Sequence, residues 1–242
     1  DDLEVKAFHR RTGHVLTLEL KKKRVQKSKA LLKRYANGLY QNILFTDEKI
    51  FDLEECFNRQ NDRVYARNAT MAREVAPRIQ RAHHPPSVMV WWGVSYNGVT
   101  PIHFCEKGVK TSGKVYRETV LGPLVKKLNT ELFHGLNWTF QQDSAPAHRA
   151  KATQSWLQEN VPDFISYEEW PSASPDLNPL DYSLWNELQR RVCNKRHCNI
   201  DALQPAIVKE AKAIPLDTIR ASIDAWPERL RACIRARGHF EN

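Results

Sequence analysis

The clearest pattern in the chain is a run that is apolar on both sides. In "SVMVWWGVS" (87–95), Val88, Val90 and Trp92 alternate with Met89 and Trp91, and both sets are apolar. A strand with one solvated face alternates apolar with polar, so a strand apolar on both faces is covered on both. A central strand is predicted here. Asn97-Gly98 supplies a strong hairpin turn, and residues 99–105 read as the returning strand. Upstream, "ILFT" (43–46) reads as a second buried strand, with 50–53 and 63–66 as partners in a hairpin-like meander. Val115, Thr119, Leu121, Leu124, Val125 and Leu128 recur at helical spacing, which predicts a helix over 114–129. A strand over 137–142 follows, then a helix from His148 to Glu159 and a short strand over 163–167. Helices are expected over 179–193, 201–213 and 216–236, the last kinked or restarted at Pro227. Near the start, residues 21–36 read as a helix carrying Val25, Leu32 and Tyr35 among Lys and Arg, stopped by Asn37-Gly38. Residues 67–86 show no period and contain three prolines, so an extended loop is expected. A loop that long inside a compact domain is functional or disordered. Adjacent strands, then alternating helix and strand, then helices describe an α/β fold: a mixed sheet with helices on its faces.

Composition narrows the class. The chain has 242 residues, 41% of them apolar, enough for one large domain with a sizeable core. No run of eighteen apolar residues and no charged-then-apolar leader occurs, so neither a membrane span nor a signal peptide is expected. Five cysteines, an odd number without framework spacing, point to a reducing compartment. Cys193 and Cys198, with His197, have the look of half a zinc site. No second Cys/His pair stands at finger spacing, and a polar loop after a helix explains them equally well. The net charge is +9, and residues 1–38 alone hold eleven Lys/Arg against four Asp/Glu. Residues 1–40 are therefore read as a basic linker arm and 41–242 as the main domain. A polyanion such as DNA is the functional reading of the arm, with Lys21, Lys22, Lys23, Arg24, Lys33 and Arg34 as candidate phosphate contacts. Such contacts position DNA without reading bases. A solvated helix face or a nuclear-import signal accounts for the same charge.

Three acids stand at predicted element ends. Asp47 ends "ILFT", Asp143 ends "WTFQQ", and Asp181 opens "NPLDYSLWNELQRRV". With Asn178 as N-cap and Pro179 first, Asp181 falls in the opening turn of a helix and shares a face with Trp185, Leu188 and Val192. Each acid alone has a plain explanation: Asp47 and Asp143 as turn caps, Asp181 as an answer to the helix dipole. Together they suggest more. Neighbouring parallel strands that end in carboxylates put both on one sheet edge, and a helix packed there supplies the third. Three carboxylates in one place repel unless a cation sits among them. Oxygen-only ligands select hard ions such as magnesium or manganese. Two such ions about 4 Å apart activate a water or hydroxyl and stabilise the leaving oxygen of a phosphodiester.

At these residues the sequence resembles a known family. "FTDEKIF", "QQDSAPAH" and "WPSASPDLNPLDYSLWNEL", with "VMVWWGVSYNG" between them, are similar to the ordered signature blocks of mariner-type cut-and-paste DNA transposases. The resemblance runs from the basic helix to the closing "RACIRARGHFEN". It implies a ribonuclease H-like fold with a catalytic and metal-binding triad of Asp47, Asp143 and Asp181. Thirty-seven residues lie between the second and third acids, a spacing found in one branch that ends in Asp. The rival third acid, Asp176 in "SPDLNP", belongs to the motif without being the catalytic carboxylate. The family's reaction is cutting DNA at transposon ends and joining 3′ hydroxyls to a target, usually at TA, without a covalent enzyme–DNA intermediate. The resemblance also implies two magnesium or manganese ions per site, a nuclear protein, and a homodimer clamped by the loop at 67–86 and the linker arm. His148 matches a family position for touching DNA or ordering the site, and a core or capping role fits it as well. Trp91 and Trp92 read as core rather than as stacking platforms. The paired helix-turn-helix domains of relatives find no room before residue 40, so end recognition is not expected of this chain alone. Two rivals remain: a domesticated DNA-binding or assembly protein without transposition, and a nuclease acting on RNA–DNA hybrids.

Overall fold

The doubly apolar run becomes the strand around which the sheet is built. A computed structural model of the protein describes residues 15–53, 65–68, 70–72, 86–105, 112–194 and 197–240. Six strands, β1 (Ile43–Asp52), β2 (Ser87–Ser95), β3 (Gly98–Val99), β4 (His103–Cys105), β5 (Thr139–Gln141) and β6 (Asp163–Phe164), form one mixed sheet. The order is β3-β2-β1-β5-β6, with β4 also paired to β2. β1 and β2 run antiparallel, whereas β1, β5 and β6 are mutually parallel.

Alternation along the strands sends side chains to two separate cores. Ile43, Phe45, Val90 and Trp92 pack on one face, and Leu44, Trp91 and Phe140 on the other. Trp91 and Trp92 are both fully buried, as core residues. The first face is covered by α1 (Leu18–Arg34), α6 (Trp185–Val192), α7 (Ile200–Lys212), α8 (Leu216–Asp224) and α9 (Trp226–Arg235). The second is covered by α2 (Gly113–Tyr116), α3 (Leu128–Glu131), α4 (Pro146–Arg149) and α5 (Lys151–Asn160).

Several boundaries differ from the sequence reading for local reasons. β1 runs unbroken through Asp47 to Asp52 and pairs with β2, not with a meander strand at 63–66. Residues 65 and 66 lie in no strand, and 63 and 64 lie outside the described residues. Pro101 has no N–H for the ladder, and the returning strand splits around it into β3 and β4. At the split, the Gly93 amide donates to Thr100 Oγ1 at 2.9 Å. A Cβ on Gly93 would stand 2.8 Å from Thr100 Cγ2, which is why glycine fits there. The helix expected over 114–129 breaks after a wide turn, Arg117–Leu121, at Gly122-Pro123. The helix expected from His148 begins at Pro146 and is interrupted by the extended backbone of Ala150, giving α4 and α5. Pro227 restarts the last helix, in the first turn of α9. Of the loop at 67–86, only 67, 68, 70–72 and 86 fall within the described residues.

The basic helix forms and lies packed on the domain. Thr17 caps it by accepting from the Leu20 amide at 3.2 Å, with Glu19 in its first turn and Lys33 and Arg34 in its last. Its inward face carries Arg24, Ser28, Leu31 and Tyr35, and Tyr35 meets Trp226 of α9 edge-on at 6.0 Å. The expected phosphate contact Arg24 requires correction, since its side chain is 1% exposed. It grips Asp176 with two hydrogen bonds, 3.0 and 2.6 Å, and donates to the carbonyls of Gly238 at 2.9 Å and Ala173 at 3.2 Å and to Ser174 Oγ. Arg34 is also taken up internally, by Asp163 and Glu169 at 2.6 Å each. Lys23 pairs with Glu19 on the surface, Lys21 is half-buried, and Lys22 and Lys33 are exposed.

Removing one partner of a buried ion pair strands the other. Arg24→Ala should therefore destabilise the protein by roughly 3 kcal/mol, a fall in thermal midpoint of about 6–12 °C. Arg24→Lys should recover little, because an ammonium cannot reproduce the forked geometry. Thermal unfolding followed by circular dichroism checks both, and an unchanged midpoint for Arg24→Ala would refute the clasp.

Candidate active site

The site forms where one strand outlasts its neighbour. The parallel pairing of β1 with β5 ends at Phe45 and Gln141, while β1 continues. Gln141 completes the ladder with its side chain: Oε1 accepts from the Thr46 amide at 3.3 Å, and Thr46 Oγ1 donates to the Gln141 carbonyl at 2.8 Å. Asp47 comes next on β1. It does not end its strand, as the sequence suggested, but stands where the parallel partner stops. Its other edge remains paired, opposite Trp92.

Asp143 lies two residues past the end of β5. Its Oδ1 accepts from the Ala145 amide at 2.9 Å and lies 2.6 Å from His148 Nδ1. His148 is 2% exposed, and its Nε2 stands 3.4 Å from Glu48 Oε1. The imidazole also packs on the Tyr116 ring at 4.4 Å. Burial opposes a charge on His148, but Glu48 and Asp143 outweigh it and hold its pKa up at about 10. Its expected role as a DNA contact is thus corrected: His148 is an internal cation that ties two acids together. Glu48 was not singled out in the sequence, although "FTDEKIF" displays it beside Asp47. Successive strand residues face opposite ways, so Glu48 takes the His148 side and Asp47 the Trp185 side.

Asp181 sits in the wide turn Leu180–Leu184 that leads into α6. Asn178 fastens this turn to the sheet. Its Oδ1 accepts from the Leu180 amide at 3.1 Å, and its Nδ2 donates to the carbonyl of Thr46 at 3.1 Å. Trp185, Leu188 and Val192 are buried, as their shared face with Asp181 requires. Trp185 Nε1 donates to Asp47 Oδ2 at 2.7 Å, so the helix that follows Asp181 orients the strand acid. Asp176, the rival acid, is neutralised by Arg24 and does not line the cleft.

Asp47, Glu48, Asp143 and Asp181 line one cleft of about 410 Å³. Burial raises the pKa of Asp47 well above its ordinary value, and the charges of Asp181, Glu48 and Asp143 add to this against the Trp185 hydrogen bond. Burial and then Asp143 push Asp181 from 3.8 to about 6, against the pull of Lys49. Burial also works upward on Asp143, but His148 and the Ala145 amide more than offset it and leave the pKa lowered. Among the described residues, no three Asp, Glu, His or Cys side chains close into a metal-ligand set. Asp47 Oδ1, Asp143 Oδ2 and both oxygens of Asp181 have no hydrogen-bond partner among the described residues. The donor chemistry thus fits a hard divalent ion. At the half zinc motif, His197 Nε2 is 2.9 Å from the Val192 carbonyl, and no metal cluster forms among the described residues.

A mixed sheet on which two neighbouring strands and a helix bring aspartates to one cleft defines the ribonuclease H-like class. A family model described as DDE superfamily endonuclease matches residues 42–204, and the chain belongs to that family. The matched span contains all three aspartates and Glu48. The chain is 40% identical over 105 residues to the Tc1 transposase of Caenorhabditis elegans, covering 43% of this chain and 37% of that protein. It is 30% identical over 157 residues to the Tcb1 transposase of Caenorhabditis briggsae, covering 65% of this chain and 55% of that protein. Hence the matches take in about half or less of these two relatives. The crystal structure of the mariner Mos1 paired end complex with Mg superposes with a TM-score of 0.81 at 19% identity, covering 99% of this chain and 68% of that one.

The raised pKa of Asp181 carries a sign for stability. As pH rises from 3.8 towards about 6, the unfolded chain loses this proton before the folded one. Stability therefore falls across that window, and the penalty is complete above it. In metal-free buffer, Asp181→Asn should be more stable than the wild type above pH 6, by on the order of 2 kcal/mol, with the two converging near pH 4. Urea unfolding at a series of pH values measures this, and a difference that does not change with pH would contradict it.

Proposed function

We propose that this chain is the catalytic domain of a Tc1/mariner-type DNA transposase, which cleaves transposon-end DNA and transfers the strand into a target at TA. The observation that carries the reading is the convergence of Asp47, Asp143 and Asp181 on one cleft, where burial first and neighbouring carboxylates second raise the pKa values of Asp47 and Asp181. Negative charge outweighs positive in this cleft, with four carboxylates to one arginine, and an all-oxygen donor set answers to magnesium or manganese. Two such ions held by these aspartates would supply Lewis acidity to the attacking oxygen and to the leaving oxygen of the phosphodiester.

The chain's own residues perform the positioning. Trp185 orients the Asp47 carboxylate, Asn178 fixes the start of the Asp181 turn against β1, and His148 holds Asp143 ionised. No side chain of the cleft need act as a nucleophile, because water and the DNA 3′ hydroxyl are the attacking groups. The exposed Lys22 and Lys33 of α1 are the phosphate contacts retained in this reading. The Mos1 relative was crystallised as a paired end complex. On this proposal two copies of this chain sit on DNA, with α1 at their interface, in the nucleus where such DNA resides.

Crystals soaked in manganese should show anomalous peaks beside Asp47, Asp143 and Asp181, lost in Asp143→Asn. Duplexes bearing the ends of the encoding element should be nicked in magnesium or manganese, and Asp143→Asn and Asp181→Asn should both reduce nicking to background. Salt-sensitive DNA binding without cleavage would instead favour a non-catalytic, transposase-derived binding protein. Cleavage confined to RNA–DNA hybrids, with no joined products, would favour a ribonuclease.

A further inference from the structure

Four carboxylates line the cleft, and among the described residues a single Lys or Arg joins them: Arg149. Its side chain is exposed and makes no ion pair, hydrogen bond or ring contact among the described residues. The domain's other arginines near acids behave differently. Arg24 closes its fork on Asp176, and Arg34 divides between Asp163 and Glu169. Arg149 stays open beside four acids.

Its backbone, by contrast, is held. Arg149 is the last residue of α4, and its amide donates to the Ala145 carbonyl at 3.0 Å. The preceding His148 is pinned between Asp143 and Glu48, and its carbonyl accepts from Gln154 Nε2 at 2.9 Å. The mounting is rigid and tied directly to the Asp143 anchor, while the guanidinium is free to receive a ligand. A cation in this position needs an anion that arrives with the substrate.

We propose that Arg149 grips the DNA phosphate next to the scissile one and so sets the strand's position along the cleft. This inference rests on the function proposed above, in which the aspartates and their ions take the scissile phosphate. A planar guanidinium offers two parallel N–H donors to a phosphate, which fixes orientation as well as distance. Arg149 is on this account a positioning residue, one that acts on the reaction by holding the strand in register.

The test uses the full chain and end duplexes that carry one methylphosphonate, placed in turn at each phosphate around the cut. Arg149→Gln should lower kcat/KM about tenfold to a hundredfold while manganese affinity and the thermal midpoint stay as in the wild type. Arg149→Lys should recover part of the loss. At one flanking position the methylphosphonate should slow the wild type by a similar factor and Arg149→Gln no further. Full activity of Arg149→Gln, or penalties that multiply at every position, would overturn the inference and leave the proposed function standing. A wild type that binds manganese yet cuts no duplex would overturn the proposed function and the inference with it.

Discussion

Carboxylates that repel one another have to be held together by contacts made elsewhere, and much of this structure serves that constraint. Each of the three aspartates of the cleft is tied down by a different group. Asp47 is held by the Trp185 indole, Asp143 by His148 and the Ala145 amide, and the Asp181 turn by Asn178 on the Thr46 carbonyl. These ties come from both faces of the sheet, because Asp47 and Glu48 point in opposite directions. The two cores are thereby joined through the acids. A loss of packing on either face is transmitted to the cleft, and this links the stability of the domain to the geometry of its site.

The basic helix enters the same scheme from the far side. Arg24 lies buried against residues 173–176, and residues 172–175 form one wall of the cleft. The clasp also includes the Gly238 carbonyl, and Phe240 lies over the guanidinium at 4.8 Å. One side chain thus joins the first helix, the cleft wall and the C-terminal segment. The charge of α1 therefore has two uses. Arg24 neutralises Asp176 and Arg34 pairs with the half-exposed Asp163 and Glu169, while Lys22 and Lys33 face outward.

Much of this was legible in the chain, and the gaps have physical causes. The doubly apolar strand announced a covered sheet because strand alternation leaves no other place for Trp91 and Trp92. The helices of the C-terminal third were legible because their apolar spacing is long and regular. Asp181 was placed by its spacing from Trp185. Arg24 was misread because burial of a guanidinium depends on a partner 152 residues away, which no local pattern reveals. Glu48 and the inward turn of His148 were hidden for the same reason, since their pairing needs β1 and α4 side by side. The single strand over 43–52 was misread as two because Asp47-Glu48-Lys49 interrupts its apolar run, and only the functional cleft explains that interruption.

Asp176 and Asp181 show how a structure separates two acids that a motif leaves adjacent. Both follow Pro171 in the same segment, and both are close enough to feel other charges. Asp176 meets a buried arginine and becomes part of the wall. Asp181 meets other carboxylates, with Lys49 the counterweight, and neither of its oxygens has a hydrogen-bond partner among the described residues. A carboxylate that is already neutralised gains little from an added cation, whereas one kept among like charges gains much. The difference in partner, rather than any difference in residue type or exposure, assigns the third place in the site to Asp181.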